Sequence, residues 1–81
     1  MSTVDVRYFA GAAEAAGTSA ERLGARTAGE LRAAMVAAHG AELERVLGRC
    51  TLLADGVRLD DAATPLTPGG TVDVLPPFAG G

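Results

Sequence analysis

The sequence has few of the residues from which metal centres and disulfide frameworks are built. Its 81 residues include one cysteine, Cys50, one histidine, His39, and neither lysine nor tryptophan. A single cysteine excludes an intramolecular disulfide and a cysteine-based zinc or iron–sulfur cage. A single histidine leaves no pair of imidazole ligands. These shortages argue against a metal centre and against a conventional set of catalytic side chains.

Charge and hydropathy argue against nucleic-acid-binding and membrane proteins. Seven arginines face ten acidic residues, giving a net charge of −3 without a basic cluster, so we expect no nucleic-acid partner. No apolar run approaches the roughly 20 residues of a membrane span, and no basic segment precedes an apolar run at the N-terminus. We therefore expect no membrane contact and a cytoplasmic location. A hydrophobic content of 48% argues for one small folded domain.

Alternating apolar residues and turn signals predict an α+β domain with one main helix packed on a sheet. The expected elements in chain order are a strand over Thr3–Phe9, a short helix or turn over Ala10–Ala16, a strand over Ser19–Arg26, a helix from Thr27 to His39, a helical turn ending at Gly48, and strands over Cys50–Ala54, Val57–Leu59 and Thr71–Leu75. Asp55-Gly56 predicts a two-residue hairpin turn. Residues 60–68 are expected to form a polar connection.

The main helix has the clearest signals. Thr27 and Glu30 form a Thr-x-x-Glu capping box, in which each side chain satisfies a backbone donor at the helix start. One apolar stripe is expected to face the sheet, formed by Leu31, Ala34, Met35 and Ala38. We interpret His39 as a helix-end residue and Cys50 as a small buried thiol, in preference to a catalytic and a sulfur-relay role.

The chain ends in a thin tail. Pro76 and Pro77 follow the last strand and are expected to hold the chain extended, because proline fixes φ and cannot continue the ladder. Ala79, Gly80 and Gly81 then reduce the side chain to a methyl group and to hydrogen. Such an end can thread a narrow channel and present its carboxylate to another protein's active site.

The tail predicts a simple division of the chain. We expect residues 1–75 to form the folded domain and residues 76–81 to form the extended tail that carries the reactive glycine. Phe78 lies beyond the prolines, where an exposed aromatic ring is costly unless it meets a partner. We therefore favour a partner contact for Phe78, together with Leu75, over a position in which Phe78 folds back onto its own sheet.

Several segments carry a family resemblance, and together they span nearly the whole chain. They are Val4–Ala10 with Glu14, Ala16 and Gly17, then Thr27–Leu31, Leu52–Gly56, Thr64–Leu66 and Val74–Gly81. In this order they resemble the small, sulfur-carrying subunit of molybdopterin synthase, within the MoaD/ThiS family of ubiquitin-like proteins. The Pro-Pro-x-x-Gly-Gly ending is the most specific of the matches.

The resemblance implies a ubiquitin-like β-grasp fold, with a mixed sheet of four to five strands on one main helix. It implies a non-catalytic carrier that binds no cofactor itself. An ATP-dependent adenylating enzyme similar to ubiquitin activators would activate the Gly81 carboxylate, and a persulfide donor would convert it to a thiocarboxylate. The tail, with Gly80 permitting close passage, would then enter a larger catalytic subunit and deliver sulfur to a pterin precursor of the molybdenum cofactor.

Other functions stay open at the level of the sequence. The same carrier chemistry serves cysteine or thiazole biosynthesis in similar proteins, although the segment Ala10–Gly17 argues against the shorter thiazole carriers. A ubiquitin-like modifier or a passive interaction module is the alternative from another class.

Overall fold

A computed structural model describes residues 2–77, so Met1 and the last four residues, 78–81, lie outside the described part of the chain. The described elements are β1 (Thr3–Tyr8), α1 (Gly11–Ala16), β2 (Ala20–Gly24), α2 (Ala28–His39), α3 (Ala41–Leu47), β3 (Thr51–Ala54), β4 (Val57–Arg58) and β5 (Thr71–Leu75). The predicted element order is confirmed. Within residues 2–77, no helix has the length and apolar character needed to cross a membrane.

The strands form one five-stranded sheet in the order β2-β1-β5-β3-β4. β1 and β5 are parallel neighbours at the centre, whereas the other neighbouring strands are antiparallel. The sheet is mixed because β5, which follows the long connection after β4, runs parallel to β1 and antiparallel to β3. The predicted α+β class and the mixed sheet are thus confirmed.

The core lies between the sheet and the helices. Its most deeply buried side chains come from β1, β5, α2 and α3, namely Val4, Val6, Val72, Val74, Leu31, Met35 and Leu43. The alternation of buried and outward-facing residues along β1 and β5 follows the period of two that the sequence showed. Burial of these apolar side chains is the main favourable contribution to folding.

The apolar stripe of α2 differs from the prediction. Leu31 and Met35 are fully buried as expected, but Ala34 is half-buried and Ala38 is exposed. Ala28 is buried instead, and His39, in the last turn of α2, faces the sheet. The face of α2 that meets the sheet therefore runs through positions spaced by three, four and four residues, which is again one face of a helix.

Local hydrogen bonds explain why β2 is shorter than predicted. The Arg26 carbonyl accepts from the Leu66 N–H at 2.8 Å, and the Arg26 N–H donates to the Glu30 carboxylate at 2.9 Å. These bonds remove Arg26 from strand pairing. Thr27 Oγ1 accepts from the Glu30 N–H at 3.2 Å, so the capping box forms with its return bond moved from Thr27 to the preceding residue.

The hairpin between β3 and β4 is the predicted two-residue turn. Asp55 and Gly56 have φ values of 48° and 86°, as a type I′ turn requires. The Asp55 carboxylate also accepts from the Thr71 N–H at 3.0 Å. This bond ties the hairpin to the first residue of β5.

Candidate functional site

The predicted functional segment begins at the end of the central strand β5. Val74 is paired with Tyr8 of β1, and Leu75 is paired with Thr51 of β3. Because β5 has a partner strand on both sides, the point at which the chain leaves the sheet is fixed by two ladders. We call Leu75–Pro77 the tail root.

The tail root carries three of the predicted site residues. Leu75 and Pro76 are half-buried, Pro77 is exposed, and neither proline belongs to a strand. The other predicted residues, Phe78, Ala79, Gly80 and Gly81, lie outside the described residues. The division into a domain of residues 1–75 and a tail of residues 76–81 stays a prediction.

The outer face of the sheet, opposite the helices, is crossed by an ion pair close to the tail root. Arg7 donates from Nε and Nη2 to the two carboxylate oxygens of Asp73, at 2.6 and 2.9 Å. The bond to Asp73, and then the charge of Asp73, raise the pKa of Arg7 above its ordinary value. Arg7 thus lies on the exposed face of the sheet.

An exposed aromatic ring lies beside this pair. Phe9 directly follows β1 and is 39% exposed, and the Arg7 guanidinium lies 5.9 Å from its ring centroid. The pairing of β1 with β5 ends at Tyr8 and Val74, and the Phe9 N–H donates to the Val74 carbonyl at 3.2 Å. Phe9 is thus the apolar neighbour of the tail root on the outer face.

The sequence interpretation did not assign Phe9 to a partner contact, although the signal was present. Phe9 follows Asp5 and Arg7 at the outward positions of the alternating strand. A large apolar residue at an outward position is the kind of residue that a binding face exposes.

Cys50 has the environment of a structural thiol. Its side chain is partly buried, and Sγ donates to the Val46 carbonyl at 3.2 Å. Burial raises the pKa of the Cys50 thiol, an effect that the nearby positive charge of Arg32 partly offsets. A protonated thiol is a poor nucleophile, so this environment favours the interpretation as a small packed side chain over a sulfur-relay role.

His39 does more than end a helix. Glu21 Oε2 accepts from the Tyr8 hydroxyl at 2.6 Å and lies 2.5 Å from His39 Nε2, which must carry the hydrogen because a carboxylate only accepts. The rings of Tyr8 and His39 meet edge to face at 5.9 Å. These contacts join α2 to β1 and β2. Burial, followed by the bond to Glu21, raises the pKa of Tyr8.

Asp60 and Asp61, adjacent acidic residues in the loop after β4, both have partners within the fold. Asp60 forms an ion pair with Arg58 at 2.8 Å, and Asp61 accepts from the Ala63 N–H at 2.8 Å. Among the residues that the structure describes, no three His, Cys, Asp or Glu side chains lie close enough to hold a metal ion.

Comparison with known protein families identifies the family of this chain. The model of the ThiS family matches residues 6–81, which include the tail root and the Gly-Gly ending. The chain belongs to the ThiS family. This ThiS-family chain is therefore a ubiquitin-like sulfur carrier of the MoaD/ThiS type, as the sequence resemblance predicted. The comparison with curated proteins yields no match.

Solved structures of similar proteins confirm the β-grasp fold. SAMP1 from Haloferax volcanii is 27% identical with a TM-score of 0.82, covering 98% of this chain and 99% of that chain. A protein–protein complex of subunits 1 and 2 of molybdopterin-converting factor from Helicobacter pylori contains a chain 29% identical, with a TM-score of 0.72 and the same two coverages. A putative molybdopterin converting factor subunit 1 from Pyrococcus furiosus, 23% identical, has a TM-score of 0.83 over 96% of this chain and 100% of that chain, which shows the shared fold.

Proposed function

We propose that this carrier donates sulfur to a pterin precursor in molybdopterin biosynthesis, as the non-catalytic partner of a larger catalytic subunit. Its Gly81 carboxylate is adenylated and then converted to a thiocarboxylate. An enzyme similar to ubiquitin activators uses ATP for the first step, and a persulfide donor supplies the sulfur. The carrier itself binds no cofactor.

One observation carries this proposal. The ThiS-family match extends through Gly81, and the chain leaves the sheet from a central strand that is paired on both sides. The complex of subunits 1 and 2 from Helicobacter pylori supports the choice of a larger subunit as partner. Phe9 is exposed beside the tail root, and Leu75, its first residue, is half-buried, so we propose that they contact the partner together with Phe78.

The proposed chemistry explains why the tail is built from small residues. A carboxylate is a poor electrophile, and attack of the Gly81 carboxylate on the α-phosphate of ATP releases pyrophosphate and gives an acyl adenylate with a good leaving group. The terminal sulfur of the persulfide then displaces AMP to give an acyl disulfide. A thiol attacks this disulfide, forms a new disulfide with the donor sulfur and releases the thiocarboxylate, whose sulfur is the nucleophile of the next reaction. Ala79 and Gly80 let this end pass close to another protein's backbone. Orientation and proton transfer are supplied by the partner.

The first experiment is an intact-mass measurement on the full chain with the activating enzyme, ATP, a persulfide donor and a thiol that reduces the acyl disulfide. We expect replacement of one oxygen by sulfur, mapped to Gly81 by fragmentation. A chain lacking Gly81 is the matched control, and it should keep the circular dichroism spectrum of the parent while acquiring no sulfur. A free Gly81 carboxylate after incubation with an activating enzyme proven active on another carrier would refute the carrier chemistry.

A second experiment identifies the acceptor. The thiocarboxylated carrier is mixed either with the larger molybdopterin synthase subunit and the cyclic pterin precursor, or with acceptor enzymes of cysteine and thiazole synthesis. We expect sulfur to appear in the pterin product and the carrier mass to return to the carboxylate form. Transfer only to a cysteine or thiazole acceptor would contradict the proposed pathway while retaining the carrier role.

Protein modification is the second candidate function, because the SAMP1 structures carry the name small archaeal modifier protein 1. A modifier would form an amide bond between Gly81 and a lysine of another protein. Conjugates with the Gly81 remnant on target lysines, found by peptide mass spectrometry in cells and lost on deletion of Gly81, would support this function.

A further inference from the structure

A cleft beside the tail root has a composition unlike that of its surroundings. It has a volume of about 390 Å³ and is lined by Arg45, Val46, Arg49, Pro76 and Pro77. We call it the arginine cleft. Its floor is apolar, since Val46 and Pro76 are half-buried, whereas both arginines are exposed.

The fold brings these residues together from two directions. The antiparallel register of β3 and β5 pairs Thr51 with Leu75, and Arg49, in the turn that leads into β3, lines the same cleft as Pro77. Arg45 lies in the last turn of α3, one turn before Arg49. Both arginines therefore come to the tail root from the end of α3 and the turn that follows it.

The charges of the cleft are available to an outside ligand. Within residues 2–77, Arg49 forms no ion pair. Arg45 pairs with Glu42 across one helical turn, with side chains 70% and 62% exposed, and such solvent-exposed pairs contribute little. Two arginines without a buried counter-charge therefore border an apolar floor, in a chain whose net charge is −3.

We propose that the arginine cleft binds an acidic peptide segment of the protein that receives the tail. Guanidinium groups bind carboxylates through paired, charge-assisted hydrogen bonds, and Glu42 already shows a carboxylate bound to Arg45. The apolar floor suits a leucine or valine next to the acidic residues. The occupant rests on the proposed function, because a partner that takes up the tail must lie against the tail root and hence against this cleft.

The test uses the full chain and a defined probe. The probe is a capped pentapeptide with two glutamates on each side of a leucine, and its control replaces the glutamates with glutamines. Two-dimensional ¹H–¹⁵N NMR with selectively followed arginine Nε signals reports where the peptide binds. We expect shifts at Arg45 and Arg49 with the glutamate peptide and none with the glutamine peptide.

Three variants make the test specific. Arg45→Glu combined with Arg49→Glu should weaken peptide binding by about tenfold or more, because it removes two charge-assisted contacts and adds repulsion. Arg32→Glu introduces the same kind of reversal at an exposed arginine outside the cleft and should leave the affinity unchanged. Glu42→Gln removes the carboxylate that competes for Arg45, so it should strengthen peptide binding. This effect is opposite to that of the double arginine reversal.

Several outcomes would overturn the proposal. They are shifts that map away from the cleft, equal weakening by Arg32→Glu, and binding of AMP or inorganic phosphate that outcompetes the peptide. Because the peptide titration needs no sulfur on Gly81, its failure leaves the intact-mass experiment unaffected. A carrier that never acquires sulfur but binds the peptide would refute the proposed function and leave the acidic-peptide site in place.

Discussion

Gly70 directly precedes β5, and the methyl group of an alanine at this position would test how tightly the chain is packed there. A Cβ placed there would lie 2.7 Å from Asp55 Oδ2 and 3.0 Å from the Thr67 carbonyl oxygen. The backbone of Gly70 cannot shift freely, because its N–H donates to Thr67 at 2.9 Å and its carbonyl accepts from Asp5 at 2.9 Å. We therefore expect Gly70→Ala to destabilise the fold.

The magnitude follows from what must move. The Asp55 carboxylate must rotate away and weaken its 3.0 Å bond from the Thr71 N–H, which costs about 1–2 kcal/mol because water partly replaces it at this exposed side chain. Relief of the contact with the Thr67 carbonyl adds about 1 kcal/mol of backbone strain. Alanine lowers the conformational entropy of the unfolded chain relative to glycine, which offsets about 0.5–1 kcal/mol of this loss. The net expected loss is about 1–2.5 kcal/mol in the free energy of unfolding.

The assay is urea unfolding followed by circular dichroism, since the chain has no tryptophan. Gly11→Ala is the matched control, because nothing lies within 4 Å of a Cβ at this helical glycine, and it should raise stability by up to about 1 kcal/mol. In an Asp55→Gly background, Gly70→Ala should cost at least about 1 kcal/mol less. Equal effects of the two alanine substitutions, or no coupling to Asp55, would refute the steric reasoning.

Two further predictions concern the backbone strain at Ala10 and the hydrogen bond between Tyr8 and Glu21. Ala10 has φ 50° and ψ −126°, so Ala10→Gly should raise the free energy of unfolding by about 0.5–1 kcal/mol, whereas Ala13→Gly inside α1 should lower it, both measured in urea. Tyr8→Phe should lower stability by about 1 kcal/mol near neutral pH, through loss of the bond to Glu21. The raised pKa of folded Tyr8 means that the parent loses stability as pH rises above about 10, where the unfolded phenol ionises first. The variant should lose less over that range, and parallel pH profiles would contradict this assignment.

Much of the fold is predictable because its signals are local. The alternation in β1 and β5, the type I′ turn at Asp55-Gly56 and the cap at Thr27 each depend on residues close in sequence. The errors occur where distant parts meet. The predicted buried stripe includes Ala38, but at the last turn of α2 it is His39 that faces the sheet. No local sequence pattern indicates that Glu21 lies next to His39.

The sequence by itself determined the class of domain, the core strands and the thin Gly-Gly ending, because hydrophobic period, turn chemistry and side-chain size are properties of neighbouring residues. Only the tertiary structure decided which residues surround the tail root. Phe9 and Arg49 are separated from Pro77 by long stretches of chain. The parallel pairing of β1 with β5 and the antiparallel pairing of β3 with β5 bring them to the same end of the sheet. Strand order and register are long-range choices made by the burial of the whole sheet against α2 and α3, so they decide where a partner can bind.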